Sequence, residues 1–248
     1  MLFVLTLSGC ASVPTRAPLR STAGASGVSA SAPMVVVDAG HGGHDPGTAH
    51  FGLKEKYLAL DIAKRLRRHL QEAGVKVVMT RDSDHFVPLS GRSAVANRLR
   101  ADLFVSVHIN ANRNGSVSGV EVYYPRVSAA PRAQWPPAVE ASEVSVPSPA
   151  VKQTLWDLVL GRTRSSSRKL ALTVCRSMRQ ELQVPCRGAK PARFVVLREA
   201  WMPAVLVEVG YVSNEEEARR LARTDYREAA AQAIAQGIAA HLRNAGAL

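Results

Sequence analysis

The stretch LFVSVHIN, Leu103 to Asn110, decides the fold: it is rich in branched apolar residues and stops abruptly at a histidine and an asparagine. A short apolar run of this kind reads as a strand buried on both faces of a parallel sheet. Two other runs read the same way, VVVDAGHGG (Val35 to Gly43) and AVLVEVG (Ala204 to Gly210), while GLKEKYLAL (Gly52 to Leu60) opens a helix. Ligands of such sheets bind at the strand ends. The polar residues there bring His41, Glu55, His108 and Glu208 to one site. Two histidines and a carboxylate with an open fourth position form the ligand set of a catalytic zinc, and one further carboxylate is the proton acceptor such a zinc needs. The pattern points to zinc-dependent hydrolysis.

Outward from these runs the rhythm is regular. Strands are expected over 34–38, 75–80, 103–107, 120–124, 194–197 and 204–207, the fourth of them less buried because it alternates apolar and polar positions. Leu58, Ile62, Leu66 and Leu70 recur at helical spacing before Gly74, which predicts a helix over 55–73 with Glu55 in its first turn. Further helices are expected over 88–99, 151–160, 165–182 and 225–242. Strands alternating with helices predict an α/β fold of three layers, a mostly parallel twisted sheet of about six strands with helices on both faces. Residues 127–149, rich in Pro, Ser and Ala, break the rhythm and read as an insertion that extends to about residue 165.

With 248 residues, 46% of them hydrophobic, the chain is long enough for one sizeable core, here residues 34–248, plus tails. No apolar stretch reaches the roughly 20 residues of a membrane-spanning helix. The net charge of +12 favours an anionic partner. Nucleic acid is not expected, because the basic residues are spread through helices without interleaved aromatics. A polymer bearing carboxylates fits the charge equally well, as does a plain arginine-rich solvated surface.

The N-terminal MLFVLTLSGC looks like a bacterial lipobox ending at Cys10, whose thiol would carry the lipid. Residues 1–10 are therefore expected to be a lipoprotein signal, truncated because no basic residue precedes the apolar run. Residues 11–33 are small and polar and read as a flexible tether. Ala11 rather than Asp after the cysteine favours the outer membrane. Cys175 and Cys186, eleven positions apart, could pair outside the cytoplasm or remain two buried thiols.

The separate motifs DAGHGGHDPG (Asp38 to Gly47), Glu55-Lys56, TRDSD (Thr80 to Asp84), ADLFVSVHINA (Ala101 to Ala111), GVEVYY (Gly119 to Tyr124) and MPAVLVEVGYVSN (Met202 to Asn214) appear in one order. In them the chain resembles the zinc-dependent N-acetylmuramoyl-L-alanine amidases, type 3, which cut muramic acid from the peptidoglycan stem peptide. The resemblance implies that His41, Glu55 and His108 hold one zinc ion and that Glu208 is the catalytic base. It departs from the usual family pattern at Ala39, Ile109 and Tyr211, none of which is a ligand. It also implies a place in the bacterial cell envelope, on the periplasmic side, in cell-wall remodelling or daughter-cell separation. Thr154 to Ala171 is similar to the region by which some members block their own zinc with an acidic side chain until a protein activator removes it. Glu140, Glu143 and Asp157 are the acids that could do so here, and an unregulated surface loop is the alternative.

Around the four site residues, His44, Asp45 and His50 could touch substrate or support His41, or be ordinary loop residues, and Ser106 and Asn110 could orient His108. His69, His85 and His241 are expected to carry no chemistry. A non-catalytic peptidoglycan-binding lipoprotein would lack one of the four residues, yet all are present. A zinc hydrolase of another amide stays open, although the chain has no HExxH helix.

Overall fold

Val35, Val36 and Val37 are all fully buried, which consecutive strand residues achieve only when both faces of the sheet are covered. The computed structural model describes residues 32–126 and 149–248. In chain order the strands are β1 (Met34–Ala39), β2 (Ala49–His50), β3 (Leu53–Lys54), β4 (Lys76–Met79), β5 (Leu103–Asn110), β6 (Val120–Pro125), β7 (Cys186–Ala192) and β8 (Ala204–Tyr211). The helices are α1 (Glu55–Glu72), α2 (Leu89–Leu99), α3 (Pro149–Leu182), α4 (Val195–Arg198), α5 (Glu215–Ala222) and α6 (Thr224–Asn244). Six strands form one sheet in the order β4-β1-β5-β8-β6-β7, and β2 with β3 makes a small antiparallel ribbon ahead of α1. All pairings in the large sheet are parallel except β6 with β8, so the sheet is mostly parallel as expected.

Alternation along the strands sorts the core into two layers. Val35, Val37, Val105, Val107, Val205 and Val207 pack with α1, α3 and α6, whereas Val36, Phe104, Ala204 and Leu206 pack with α2 and α4. The second face changes character along the strands. Its first half is apolar, and beyond it, on the same side by alternation, come Asp38, Ser106, His108 and Glu208. The polar residues thus collect at the carboxyl ends of β1, β5 and β8.

Three expectations are corrected. Residues 194–197 are not a strand but lie largely in α4: Val196 and Leu197 are neighbours and both buried beside exposed Phe194, a pattern of one helical turn packed on the sheet. The sixth strand is instead β7, whose sequence CRGAKPA has almost no apolar signal. The helices expected over 151–160 and 165–182 are one continuous α3. In addition β6 is mostly buried rather than half-exposed, since α3 covers it. Cys175 of α3 and Cys186 of β7 are disulfide-bonded with their Cα atoms 5.8 Å apart, which settles the alternative left open by their spacing. The signal and tether over 1–31, and residues 127–148 of the insertion, lie outside the described residues. No helix among those described is long and apolar enough to cross a membrane.

Candidate metal centre

The site begins where β1 runs out of valines. Gly40 turns the chain, its N–H donating to the Val107 carbonyl at 3.0 Å, and a Cβ there would lie 2.4 Å from the His108 ring. His41 follows with φ of 58°, a left-handed conformation that costs a non-glycine residue roughly 1–2 kcal/mol. Two guanidiniums, each 2% exposed, hold the loop in place. Arg81 donates to the carbonyls of Ala39 (2.9 Å) and Gly40 (2.6 Å), and Arg92 to those of Ala39 (2.6 Å) and His41 (2.7 Å). Fully buried Asp38 balances this charge, accepting from Arg92 (2.8 Å), Thr80 (2.6 Å) and Ser106 (2.6 Å). Further along, Lys56 Nζ bonds the Gly43 carbonyl and Asp84, both at 2.7 Å, while Asp84 accepts the Gly43 N–H at 2.8 Å. The TRDSD and Glu-Lys motifs therefore serve to fix the histidine loop.

Glu55 is the first residue of α1 and is almost fully buried. Its Oε2 accepts the Thr48 N–H at 2.9 Å, and its Oε1 accepts the Ile109 N–H at 3.0 Å. The same Oε1 lies 2.9 Å from His108 Nδ1 and 3.1 Å from His41 Nε2. His41 turns Nε2 inward because its Nδ1 is bonded to Asp45 Oδ2 at 2.8 Å, and Asp45 is itself steadied by the Gly47 N–H at 3.0 Å. Gly47, at φ of +64°, leaves room that a Cβ would take 2.5 Å from Glu55 Oε2. One ligand atom from each of His41, Glu55 and His108 lies within 4.8 Å of the others, so the three could hold a metal ion. Burial works against the Glu55 charge, yet hydrogen bonds from His108 and His41 keep its carboxyl well below the usual range. Burial also disfavours a charged His41, but Glu55 and Asp45 outweigh it and raise the imidazole above its ordinary value.

Glu208 stands beside this triad. In the sheet it pairs in register with His108 on one side and with Glu121 on the other. Its Oε2 is buried and has no hydrogen-bond partner among the described residues. Burial, reinforced by the negative charges of Glu55 and Glu121, pushes this carboxyl well above the ordinary range. A buried carboxyl oxygen without a partner is costly unless something else visits the site. Three inward-facing N and O donors and this orphan oxygen suit a cation that carries a water, the donor chemistry that zinc accepts.

Residues 35–240 match the sequence profile of the N-acetylmuramoyl-L-alanine amidases, type 3. The chain is a member of that family. It is 34% identical over 215 residues to N-acetylmuramoyl-L-alanine amidase AmiA of Escherichia coli, a match that covers 83% of this chain and 74% of AmiA. It is 35% identical over 215 residues to AmiC of Neisseria meningitidis, covering 83% of this chain and 52% of AmiC, so it spans about half of that relative. Among solved structures, the amidase AmiC2 of Nostoc punctiforme superposes with a TM-score of 0.68 at 36% identity, over 85% of this chain and 97% of that one.

In this amidase the structure brings together His41 and His108 from the strand ends and Glu55 from the start of α1, with Glu208 in register beside His108. Asp45 also belongs to the site through His41, whereas His44 stacks on Phe86 at 4.2 Å and His50 is exposed. Ser106 and Asn110 do not orient His108: Ser106 bonds Asp38, and Asn110 reaches Glu121 at 3.4 Å. The His108 ring is met by Glu55 instead. His69 bonds Glu228, His85 bonds Ser83 and His241 meets Ser166, all outside the triad. Glu121 joins the site from the middle of a strand rather than from the end of an apolar run. It is 2% exposed, and burial works against its charge, but Lys190 and Tyr123 bond it and keep it ionised. Its signal was a glutamate between two buried valines of β6. Glu140 and Glu143 lie outside the described residues, and of Asp157 only its place in α3 is described.

Proposed function

We propose that this amidase hydrolyses the amide between N-acetylmuramic acid and L-alanine in peptidoglycan, with His41, Glu55 and His108 holding one zinc ion and Glu208 acting as base. The observation that carries the reading is the unpartnered Oε2 of Glu208, in register with His108 beside three converging ligand atoms. Zinc in such a site acts as a Lewis acid and brings the pKa of a bound water to near 7. The residues of the chain do the rest. Asp45 fixes the His41 tautomer so that Nε2 is the free donor atom, and His108 offers Nδ1. Glu208 Oε2 takes the proton of the attacking water and delivers it to the departing alanine nitrogen. The burial that raises this carboxyl also makes the carboxylate a stronger base. Buried Arg81 and Arg92 hold the His41 loop rigid, so the donor atoms need little reorganisation.

The same reading places the enzyme on the periplasmic side of the cell envelope, lipid-anchored to the outer membrane through Cys10 by a tether over 11–33, in wall remodelling or daughter-cell separation. It also gives the insertion over 127–165 an autoinhibitory role, relieved by a protein activator.

The test is mass spectrometry of material released from purified peptidoglycan by the unlipidated chain, with zinc or with chelator, and by a variant lacking residues 127–149. Stem peptides with a free N-terminal alanine, released only with zinc and faster by the shortened chain, are expected. Release that ignores the chelator, or glycan fragments without free peptides, would overturn the reading of the site. Equal rates from both chains would remove autoinhibition alone.

A further inference from the structure

The parallel strands give the molecule two poles. The metal site is at the carboxyl ends of β1, β5 and β8, and Met34, Leu103 and Ala204 mark the opposite, amino-end pole. Ser167 of α3 sits at that second pole, its Oγ accepting the Ala204 N–H at 3.0 Å. From there α3 and α6 run antiparallel along one face of the sheet, and α3 reaches the height of the metal site at Cys175, which is bonded to Cys186 beside Val120. Along this seam Gly237 lies against Val174, and His241 Nε2 is 3.3 Å from Ser166 Oγ. Their seam opens into a groove of about 520 Å³ lined by Arg162, Lys169, Arg176, Ser166, His241 and Asn244, and by no carboxylate.

Charge in this groove is unbalanced. Between residues 162 and 180 α3 carries six basic residues and no acidic one. Arg65, Arg68 and Arg227 on the neighbouring helices are each paired with a carboxylate, but among the described residues none reaches Arg162, Lys169 or Arg176. The C-terminal carbonyls of α6 oppose an anion with about half a charge, against three full positive charges. Clustered cations of this kind seek a multiply anionic surface.

The groove begins at the amino-end pole and runs along the α3–α6 side of the molecule to the height of the metal site. The chain enters the fold at Met34, on the amino-end pole, and β1 is two strands from β8, about 10 Å. We infer that the Arg162–Lys169–Arg176 groove docks the α3–α6 side of the molecule on an anionic phospholipid surface, with His108 and Glu208 projecting from the opposite face of the sheet. The choice of a phospholipid surface rests on the anchor proposed at Cys10, which would hold the chain at a membrane. The affinity of the groove does not depend on it.

The experiment uses the full chain with Cys10→Ser, so that no lipid contributes, and co-sedimentation with vesicles of phosphatidylethanolamine and phosphatidylglycerol or of phosphatidylcholine alone. Binding to the anionic vesicles only is expected, weakening with salt. Reversing Arg162, Lys169 and Arg176 to Glu should cost about a hundredfold or more in affinity, at roughly fivefold per cation near such a surface. Reversing exposed Lys64, Arg98 and Arg113 changes the net charge equally and should cost far less. Turnover on soluble wall fragments reports folding, and Gln at the three groove positions replaces the reversal if Glu is not tolerated. Equal losses in both triple variants would overturn the groove in favour of overall charge. Loss of binding to wall sacculi with vesicle binding intact would overturn it in favour of a wall polyanion. Finding Cys10 unmodified in the membrane fraction would remove the anchor without touching the vesicle result.

Discussion

Glu208 and Asp45 both lie beside the triad, and a single oxygen-to-nitrogen change at each separates their roles. Glu208→Gln keeps the shape and burial of the side chain but cannot accept a proton. It should retain zinc, measured by metal analysis, while turnover falls about 10²–10⁴-fold, the usual contribution of a general base. A variant with wild-type turnover would remove Glu208 from the chemistry. Asp45→Asn acts one step further out. The carboxylate that now accepts from His41 Nδ1 at 2.8 Å is lost, so the ring is less firmly aimed and less basic. Zinc affinity, measured by competition with a chelator, should drop about 10–100-fold. An unchanged affinity would make Asp45 a loop residue only. These two residues also show how legible the site was. His41, His108 and Glu208 stand where apolar runs stop, and Glu55 stands where a helix starts, so sequence alone singles them out. Asp45 is one of several polar residues in a glycine-rich loop, and only the φ of 58° at His41 turns the ring back onto it. Glu121 is hidden for the opposite reason, since a glutamate within a strand ordinarily faces solvent, and its partner Lys190 comes from β7, far away in sequence.

Elements differ in how strongly their sequence commits them. The strands β1, β5 and β8 are covered on both faces, so their composition is uniform and the reading is direct. Strand β7 lies at the sheet edge, where half-exposed positions tolerate Gly188 and Pro191 and no apolar pattern is required. The run from Phe194 to Leu197 misleads because four apolar residues fit a short buried strand and one helical turn equally well. What secures β7 is the disulfide from Cys186 to Cys175 on α3. Closing so short a loop is worth about 2–3 kcal/mol through the unfolded chain. The double replacement Cys175→Ala with Cys186→Ala should therefore lower the melting temperature by about 5–10 °C, at roughly 2–4 °C per kcal/mol for a chain of this size. Because β7 also carries Lys190 and Arg187 onto Glu121, the same variant should lose turnover more steeply on warming than it loses zinc. A melting curve superimposable on that of the parent would show that packing alone holds the edge strand.

For the whole molecule, the metal and the fold are coupled through protons. In the metal-free protein His41 is raised above its ordinary 6.5 by Glu55 and Asp45 against the effect of burial. A raised imidazole contributes stability that is fully present below its unfolded pKa and is lost as pH climbs through the folded one. Glu208, raised by burial and by Glu55 and Glu121, works in the same direction, since its neutral form is the one the fold tolerates. Glu55 is depressed, so its contribution is already complete above the ordinary carboxylate range and does not change near neutrality. The metal-free protein should thus weaken from about pH 6 to pH 8. Zinc demands deprotonated imidazoles and a carboxylate base, so its binding expels those protons and strengthens over the same interval. The difference in melting temperature between zinc and chelator should widen with pH, with about one proton displaced giving on the order of 2 kcal/mol over two pH units. Scanning calorimetry at pH 6, 7 and 8 with excess zinc or chelator measures it directly. A difference that stays constant would mean that His41 and Glu208 are already unprotonated without metal, and one that narrows would place the metal elsewhere than on His41, Glu55 and His108.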